Sequence, residues 1–301
     1  SAAYYLRLKG YAPVVFEREM LLGGMMRYGI PGYRLPQHVL QAEIDWLLSH
    51  GVEVRTGMAL GKNIALEELR KEYDGVILAM GCWKSSPMRV PGEDLDGVLG
   101  GIDFLYDVKT NPSVAIGKRV AVVGGGNTAM DACRSARRLG AEEVSVLYRR
   151  SREEMPARAE EVEHAMEEGI HFDFLSSPVE VLADSEGKAA GLRVQAFRLG
   201  DPDSSGRRSP VAIPGAITEV PFDTVIVAIG NESNPLLART TPGLVVDKKG
   251  RVIVDEAQKS SVDRVYAGGD IVLGAATVIL AMGEGRKAAA SINGILSNHQ
   301  G

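Results

Sequence analysis

Residues Lys118-Arg-Val-Ala-Val-Val-Gly-Gly-Gly-Asn-Thr-Ala129 decide the fold. A valine-rich stretch reads as a buried strand, a run of glycines follows at once, and a helical pattern then continues to Leu139. In that setting the spacing Gly124-x-Gly126-x-x-Ala129 is a dinucleotide-binding fingerprint. Gly124 permits the tight turn, Gly126 lets backbone approach a pyrophosphate, and Ala129 lets the helix lie close against the strand. Phosphates would then sit on the free N–H groups and positive dipole end of the helix. A glycine turn without a ligand is the competing reading. The next strand, Val144–Tyr148, runs into Arg149-Arg150, where a site for the unphosphorylated dinucleotide usually carries an acid for the ribose 2′-hydroxyl. Guanidinium forks match a phosphate instead. The expectation is NADP(H), against a solvated surface pair of arginines.

Working outward, three blocks appear. The first runs from Ser1 to about Thr110, and its strands (Val14–Phe16, Val52–Thr56, Gly75–Gly81) alternate with helical stretches (Pro36–His50, Leu66–Glu72). Such alternation argues for a parallel sheet covered by helices. The second block contains the fingerprint, a charged stretch at 152–168 read as one helix with a solvated face, and antiparallel strands over 179–220. Those strands surround a polar loop, Gly200–Arg208, read as a solvated hairpin. It closes with Asp223-Thr-Val-Ile-Val-Ala-Ile-Gly230, which repeats the sense of Asp74-Gly-Val-Ile-Leu-Ala-Met-Gly81. This repeat marks one strand in each of two nucleotide-binding halves. The third block holds Val265-Tyr-Ala-Gly-Gly-Asp270 and a closing helix, Ala276–Leu296. An acid at a strand end can reach sugar hydroxyls, which singles out Asp270 and also Glu17. Gly-Gly-Asp is, equally, a common turn. The fold class is therefore α/β with two Rossmann-like halves.

Bulk properties exclude other classes. The 301 residues carry a net charge of −5, with no basic cluster for nucleic acid. Nothing resembles a membrane span or a signal peptide, so the cytoplasm is the expected location. The two cysteines, Cys82 and Cys133, make no C-x-x-C motif and are too few to ligate an iron–sulfur cluster. The five histidines (His38, His50, His164, His171, His299) show no ligand spacing, so no metal site is expected. No Ser-His-Asp constellation emerges either, and no catalytic residue is assigned.

Taken together, Leu22-Gly-Gly-Met-Met-Arg-Tyr-Gly-Ile-Pro31, Tyr33-Arg-Leu-Pro36, Gly124-Gly-Gly-Asn-Thr-Ala-Met-Asp131, Tyr148-Arg-Arg-Ser-Arg-Glu-Glu-Met-Pro156, Tyr266–Asp270 and Gly285-Arg-Lys-Ala-Ala289 make the chain resemble a family of two-dinucleotide-domain flavoproteins. It is similar in particular to the small (β) subunit of NADPH-dependent glutamate synthase and its relatives. The resemblance implies an FAD domain built from residues 1–116 and 235–301, with an NADP domain, 117–234, inserted. It implies Glu17 on the adenine-side ribose, Gly23 and Gly24 near the FAD diphosphate, Val54 at the adenine through its backbone, Asp270 at the ribityl–phosphate region and Thr277 near the isoalloxazine. Gly124, Gly126, Asn127 and Thr128 would cradle the NADPH pyrophosphate, with Arg149 and Arg150 on the 2′-phosphate. Arg27, Gly81, Ala129, Gly230 and Gly269 complete the expected cofactor-binding positions.

The implied reaction is hydride transfer from NADPH to FAD, with electrons passed onward to a larger partner subunit. The module also resembles relatives that reduce pyrimidines or exchange electrons with ferredoxin, and a non-catalytic docking scaffold is a further alternative. Two family features are missing from the sequence: the cysteine-rich segment that holds iron–sulfur clusters, and the first glycine fingerprint. The expectation is that Ser1 is an artificial or proteolytic start within a longer protein, with the clusters upstream or in a partner. In a 3-2-1-4-5-6 sheet the first strand is central. Without it, neighbouring strands keep unpaired backbone groups, and FAD should bind weakly or not at all while the NADP half stays intact.

Overall fold

The computed structural model describes residues 1–298, so His299 lies outside the described residues. In chain order the main elements are α1 (Ala2–Leu8), β1 (Val14–Phe16), α2 (Gln37–Leu48), β2 (Glu53–Arg55), α3 (Leu66–Glu72), β3 (Val76–Leu78), β4 (Val98–Gly100) and α4 (Gly101–Thr110). They continue as β5 (Arg119–Val123), α5 (Asn127–Arg138), β6 (Glu143–Tyr148), α6 (Ala159–Glu167), β7 (His171–Phe174), β8 (Ser176–Ala183), β9 (Ala189–Pro202), β10 (Arg208–Pro221), β11 (Thr224–Val227), β12 (Val265–Ala267) and α7 (Val278–Asn298). They divide into two compact units. The first comprises Ser1–Arg27, Gly32–Trp83 and Glu232 onward; the second comprises Tyr28–Pro31 and Lys84–Asn231.

The second unit is built around β5. Its sequence Arg-Val-Ala-Val-Val is apolar at four successive positions, and successive side chains of a strand face opposite sides. Val120 and Val122 pack with Ala129, Met130 and Cys133 of α5 and Val162 of α6. Ala121 and Val123 pack on the other face with Leu192 and Val194 of β9. Hydrogen-bonded parallel neighbours on both sides complete a five-stranded sheet of order β4-β11-β5-β6-β7. An antiparallel sheet of order β10-β9-β8 supplies the second layer. Each valine fully buried this way stabilises by about 1.5–3 kcal/mol.

The unit boundary differs from the division read in the sequence. Residues 84–116, assigned there to the first block, fold with the second. The reason is pairing and cover: β4 lies in register with β11 (Val98↔Val225, Leu99↔Ile226), and Phe104 and Leu105 of α4 join the cluster around Val120. The charged stretch 152–168 is also not one helix. A single 3-10 turn, Arg152–Glu154, is followed by extended backbone at Met155 and then α6. Pro156 disfavours helical backbone at the residue before it, which accounts for the break.

In the first unit the strands form two separate parallel pairs, β1 with β2 and β3 with β12. The second pair has apolar cover: Leu78, Val265 and Ala267 cluster with Leu66 and Ile271, and Tyr266 with Ala288 and Ile292 of α7. The first pair does not, since every residue of β1 is only half-buried. Beside it lies an apolar cavity of about 140 Å³ bounded by Ala3, Tyr4, Val15, Ile44, Leu47 and Val52.

Candidate functional site

In the second unit the chain leaves β5 at Gly124, whose φ of +137° favours glycine. A Cβ there would lie 2.2 Å from the Ala228 carbonyl oxygen, and one on Gly125 2.6 Å from the Tyr148 ring. These two glycines are therefore required by the protein's own packing. Gly126 is different: its φ is −93°, and a Cβ would meet nothing within 4 Å. Its bareness opens space at the start of α5, where the first N–H groups have no acceptor within the helix. Ala129, fully buried, brings α5 against the sheet. This is a cradle that suits a pyrophosphate.

Asn127 has a second duty. Its Oδ1 accepts the Arg158 N–H at 3.1 Å, and the Gly125 carbonyl accepts the Ala157 N–H at 3.1 Å. The segment after β6 is thereby fastened to the glycine turn. Thr128 is half-buried in the first turn of α5. Of the two guanidiniums expected at a 2′-phosphate, Arg149 is exposed and has no side-chain partner among the described residues. Arg150 is buried, and its Nη2 donates to Asp203 Oδ2 at 2.5 Å. Gly230 follows β11 at φ +140°, and its carbonyl accepts the Ser86 N–H at 2.9 Å.

The carboxylates on 152–168 are not simply a solvated face. Arg134 of α5, buried, binds Glu161 at 2.7 Å and Glu168 at 3.0 Å. Glu154, also buried, accepts from Ser151 and Arg208, and those bonds, the Ser151 one foremost, hold its carboxyl below the usual range. The charge pattern alone did not reveal these pairs, because their partners come from distant segments.

In the first unit Glu17 follows β1. Its Oε1 accepts the Glu19 N–H at 3.0 Å, and its backbone exchanges hydrogen bonds with Arg55 and Met58. Val54 lies opposite Val15 in the same pair of strands. Gly23 and Gly24 turn the chain at φ +127° and +49°; a Cβ on Gly24 would meet nothing within 4 Å. Arg27 is buried and organises this turn, donating to the Leu22 carbonyl, to Gln37 (3.1 Å) and to Gln41 (2.5 Å). Gly81 follows β3 at φ +68°, and Gly269 precedes Asp270 at φ +79°. The Asp270 carboxylate accepts the Ala276 N–H at 3.3 Å, and burial raises its pKa above the usual carboxylate value. Thr277 accepts the Leu280 N–H at 3.4 Å as α7 begins. Carboxylates at strand ends beside open glycines suit a ligand rich in hydroxyls and phosphate.

Cys82 and Cys133 are both buried and unpaired, and burial pushes both thiols up in pKa, so neither is poised as a nucleophile.

Both units thus carry Rossmann-like dinucleotide folds, and comparison with known proteins gives the class. The family model described as pyridine nucleotide-disulphide oxidoreductase matches residues 1–286. The chain belongs to that family. It is 44% identical over 298 residues to the NADP(+)-dependent formate dehydrogenase subunit beta of Moorella thermoacetica, covering 97% of this chain and 42% of that protein. It is 38% identical over 297 residues to the glutamate synthase [NADPH] small chain of Halomonas elongata, covering 94% and 62%. The chain therefore spans between about two fifths and three fifths of these relatives' own length. Among solved structures, FprA of Mycobacterium tuberculosis in complex with NADPH matches with a TM-score of 0.82 at 20% identity, over 99% of this chain and 82% of that one.

Proposed function

We propose that the chain is the electron-entry module of an NADPH-dependent flavoprotein oxidoreductase of glutamate-synthase small-subunit type, soluble in the cytoplasm and docked to a larger partner. The observation that carries this is in the second unit: a glycine turn whose Gly126 opens onto the start of α5, with the unpartnered Arg149 at the end of the adjacent strand. When bound, NADPH supplies a hydride and FAD accepts it, which requires no protein base. The chain's own residues then bind and orient. Gly124 makes the turn, Gly126 admits the pyrophosphate, Asn127 and Thr128 begin the helix that faces it, and Arg149 matches the 2′-phosphate. Glu17 and Asp270 offer acceptors to the hydroxyls of FAD. Iron–sulfur centres of the partner would be the electron acceptor.

The relatives' names support a shared front end with different acceptors, one a formate dehydrogenase subunit and one a glutamate synthase subunit. The test is calorimetric titration with NADPH and NADH, followed by NADPH addition to the flavin-loaded protein while its visible band is watched. Preference for NADPH and bleaching of the band are expected. Equal affinities, or a flavin that NADPH never reduces, would defeat the reading.

A further inference from the structure

Arg150 and Glu154 are buried charges in the segment after β6, at 5% and 6% exposure, and both find partners at the tip of the β9–β10 hairpin. Arg150 binds Asp203, while Glu154 binds Arg208, whose guanidinium also lies 3.7 Å from Glu153. The pairing is reciprocal: the segment gives a cation and an acid, and the tip answers with an acid and a cation. Buried charges persist only when paired in this way.

Asp203 works on two sides. Its Oδ1 accepts the Ser205 N–H (2.8 Å) and hydroxyl (2.5 Å), and its own N–H donates to the Arg207 carbonyl (2.8 Å), which closes the tip as Gly206 turns at φ +78°. Its Oδ2 holds Arg150, whose Nε is buried without an acceptor. Without Asp203 that guanidinium would be left as an uncompensated buried cation and would have to move.

The segment itself is tied down at successive points. The Arg150 carbonyl accepts the Leu175 N–H at 3.1 Å, and the Tyr148 hydroxyl donates to the Glu154 carbonyl at 2.7 Å. Further along, Ala157 and Arg158 donate to the glycine turn. Arg149 therefore sits between two anchored neighbours, with its own side chain exposed. We propose that the hairpin tip belongs to the nucleotide site: Asp203 and Arg208 are positioning residues that clasp residues 149–158 against the glycine turn and so set the phosphate selectivity of Arg149. Arg150 is the anchor of this clasp and does not touch the nucleotide. The inference rests on the NADPH reading and extends it to a hairpin some fifty residues distant in sequence.

The test uses the intact protein, with 2′,5′-ADP and 5′-AMP as calorimetric probes and amide exchange across residues 149–158 as an independent readout. Asp203→Asn should weaken 2′,5′-ADP by about 10-fold and 5′-AMP by less than about 2-fold, while Asp203→Glu restores most of the loss. Arg208→Gln should act in the same direction, and amides of 149–158 should exchange faster in both weakened variants. Equal loss for both probes, or unchanged 2′,5′-ADP affinity in Asp203→Asn, would overturn the proposal. Unchanged exchange in that variant would overturn the clasp whatever the probes do. A wild-type protein without preference for 2′,5′-ADP, yet with faster exchange in Asp203→Asn, would retain the clasp and sink the NADPH reading instead.

Discussion

β5 in the second unit and β1 in the first are short, valine-rich strands, and only one of them is buried. Four of the five residues of β5 are buried, whereas every residue of β1 is half-buried. The difference lies in the neighbours. β5 is flanked by β11 and β6 and covered on both faces, whereas among the described residues β1 pairs with β2 alone. Apolar composition makes a strand possible; two-sided pairing and two-sided cover make it a core. Within the first unit, the β3–β12 pair is covered by apolar side chains and the β1–β2 pair is the exception.

The sharpest attack on this contrast is to damage the well-built unit. Arg134→Ala removes a buried guanidinium that binds Glu161 and Glu168, the latter keeping its pair with Arg138, and should cost about 1.5–3 kcal/mol in denaturant unfolding, the range for a lost charge-assisted bond away from bulk water. Arg55→Ala in the first unit removes exposed pairs with Glu53 and Glu72 and a guanidinium lying over the Phe16 ring, and should cost less than about 1 kcal/mol. Similar losses for both would erase the distinction.

Next in size is native-state opening. Amides of β5, β6 and β11 should exchange about 100-fold more slowly than those of β1 and β2, since local stability follows the density of buried contacts. The two buried thiols report the same ordering: Cys82 should be alkylated before Cys133. Equal protection in β1 and β5 would refute the contrast.

A smaller effect separates packing from binding within the glycine turn. Gly124→Ala puts a methyl against the Ala228 carbonyl at a positive φ and should destabilise the fold. Gly126→Ala meets no protein atom within 4 Å, so it should fold with a midpoint lowered by no more than about 2–4 °C while NADPH affinity falls about 10-fold. Unchanged affinity in Gly126→Ala would mean that the open space is not the phosphate site.

The smallest predicted effect concerns pH. The Ser205 hydroxyl and N–H, and then Arg150, hold the Asp203 carboxyl down to about 2. A carboxyl with a folded pKa below its unfolded value of about 3.9 stabilises fully above that value and loses the contribution as pH falls toward the folded one. The stability contributed by these bonds should therefore fall between about pH 4 and 2, while in the folded protein the Asp203 carboxyl carbon resonance titrates with its midpoint near 2. Release already near pH 5 would contradict the geometry.

Much of this was legible from residues alone. The turn at Gly124–Gly126 and the helix to Leu139 follow from local spacing, and the observed α5 ends at Arg138. The unbroken apolar run Val120-Ala-Val-Val123 likewise encodes a strand buried on both faces. What escaped was whatever depends on partners far along the chain. Arg149 and Arg150 look alike in sequence, yet one is exposed and the other is bound to Asp203; residues 98–110 read as part of the first block, but Val98–Gly100 pair with β11 and the helix after them packs on the same sheet. The polar tip Gly200–Arg208 reads as solvated because nothing local says that its acid and its arginine face opposite charges.

The sequence by itself determined the strand–turn–helix units and the kind of ligand each could hold, because propensity, glycine conformation and strand-end chemistry act over a few residues. Tertiary structure alone decided which strands share a sheet, where the two units divide, and which guanidinium remains open to a phosphate. Those outcomes depend on burial and ion pairing between segments tens of residues apart, and no local rule encodes them.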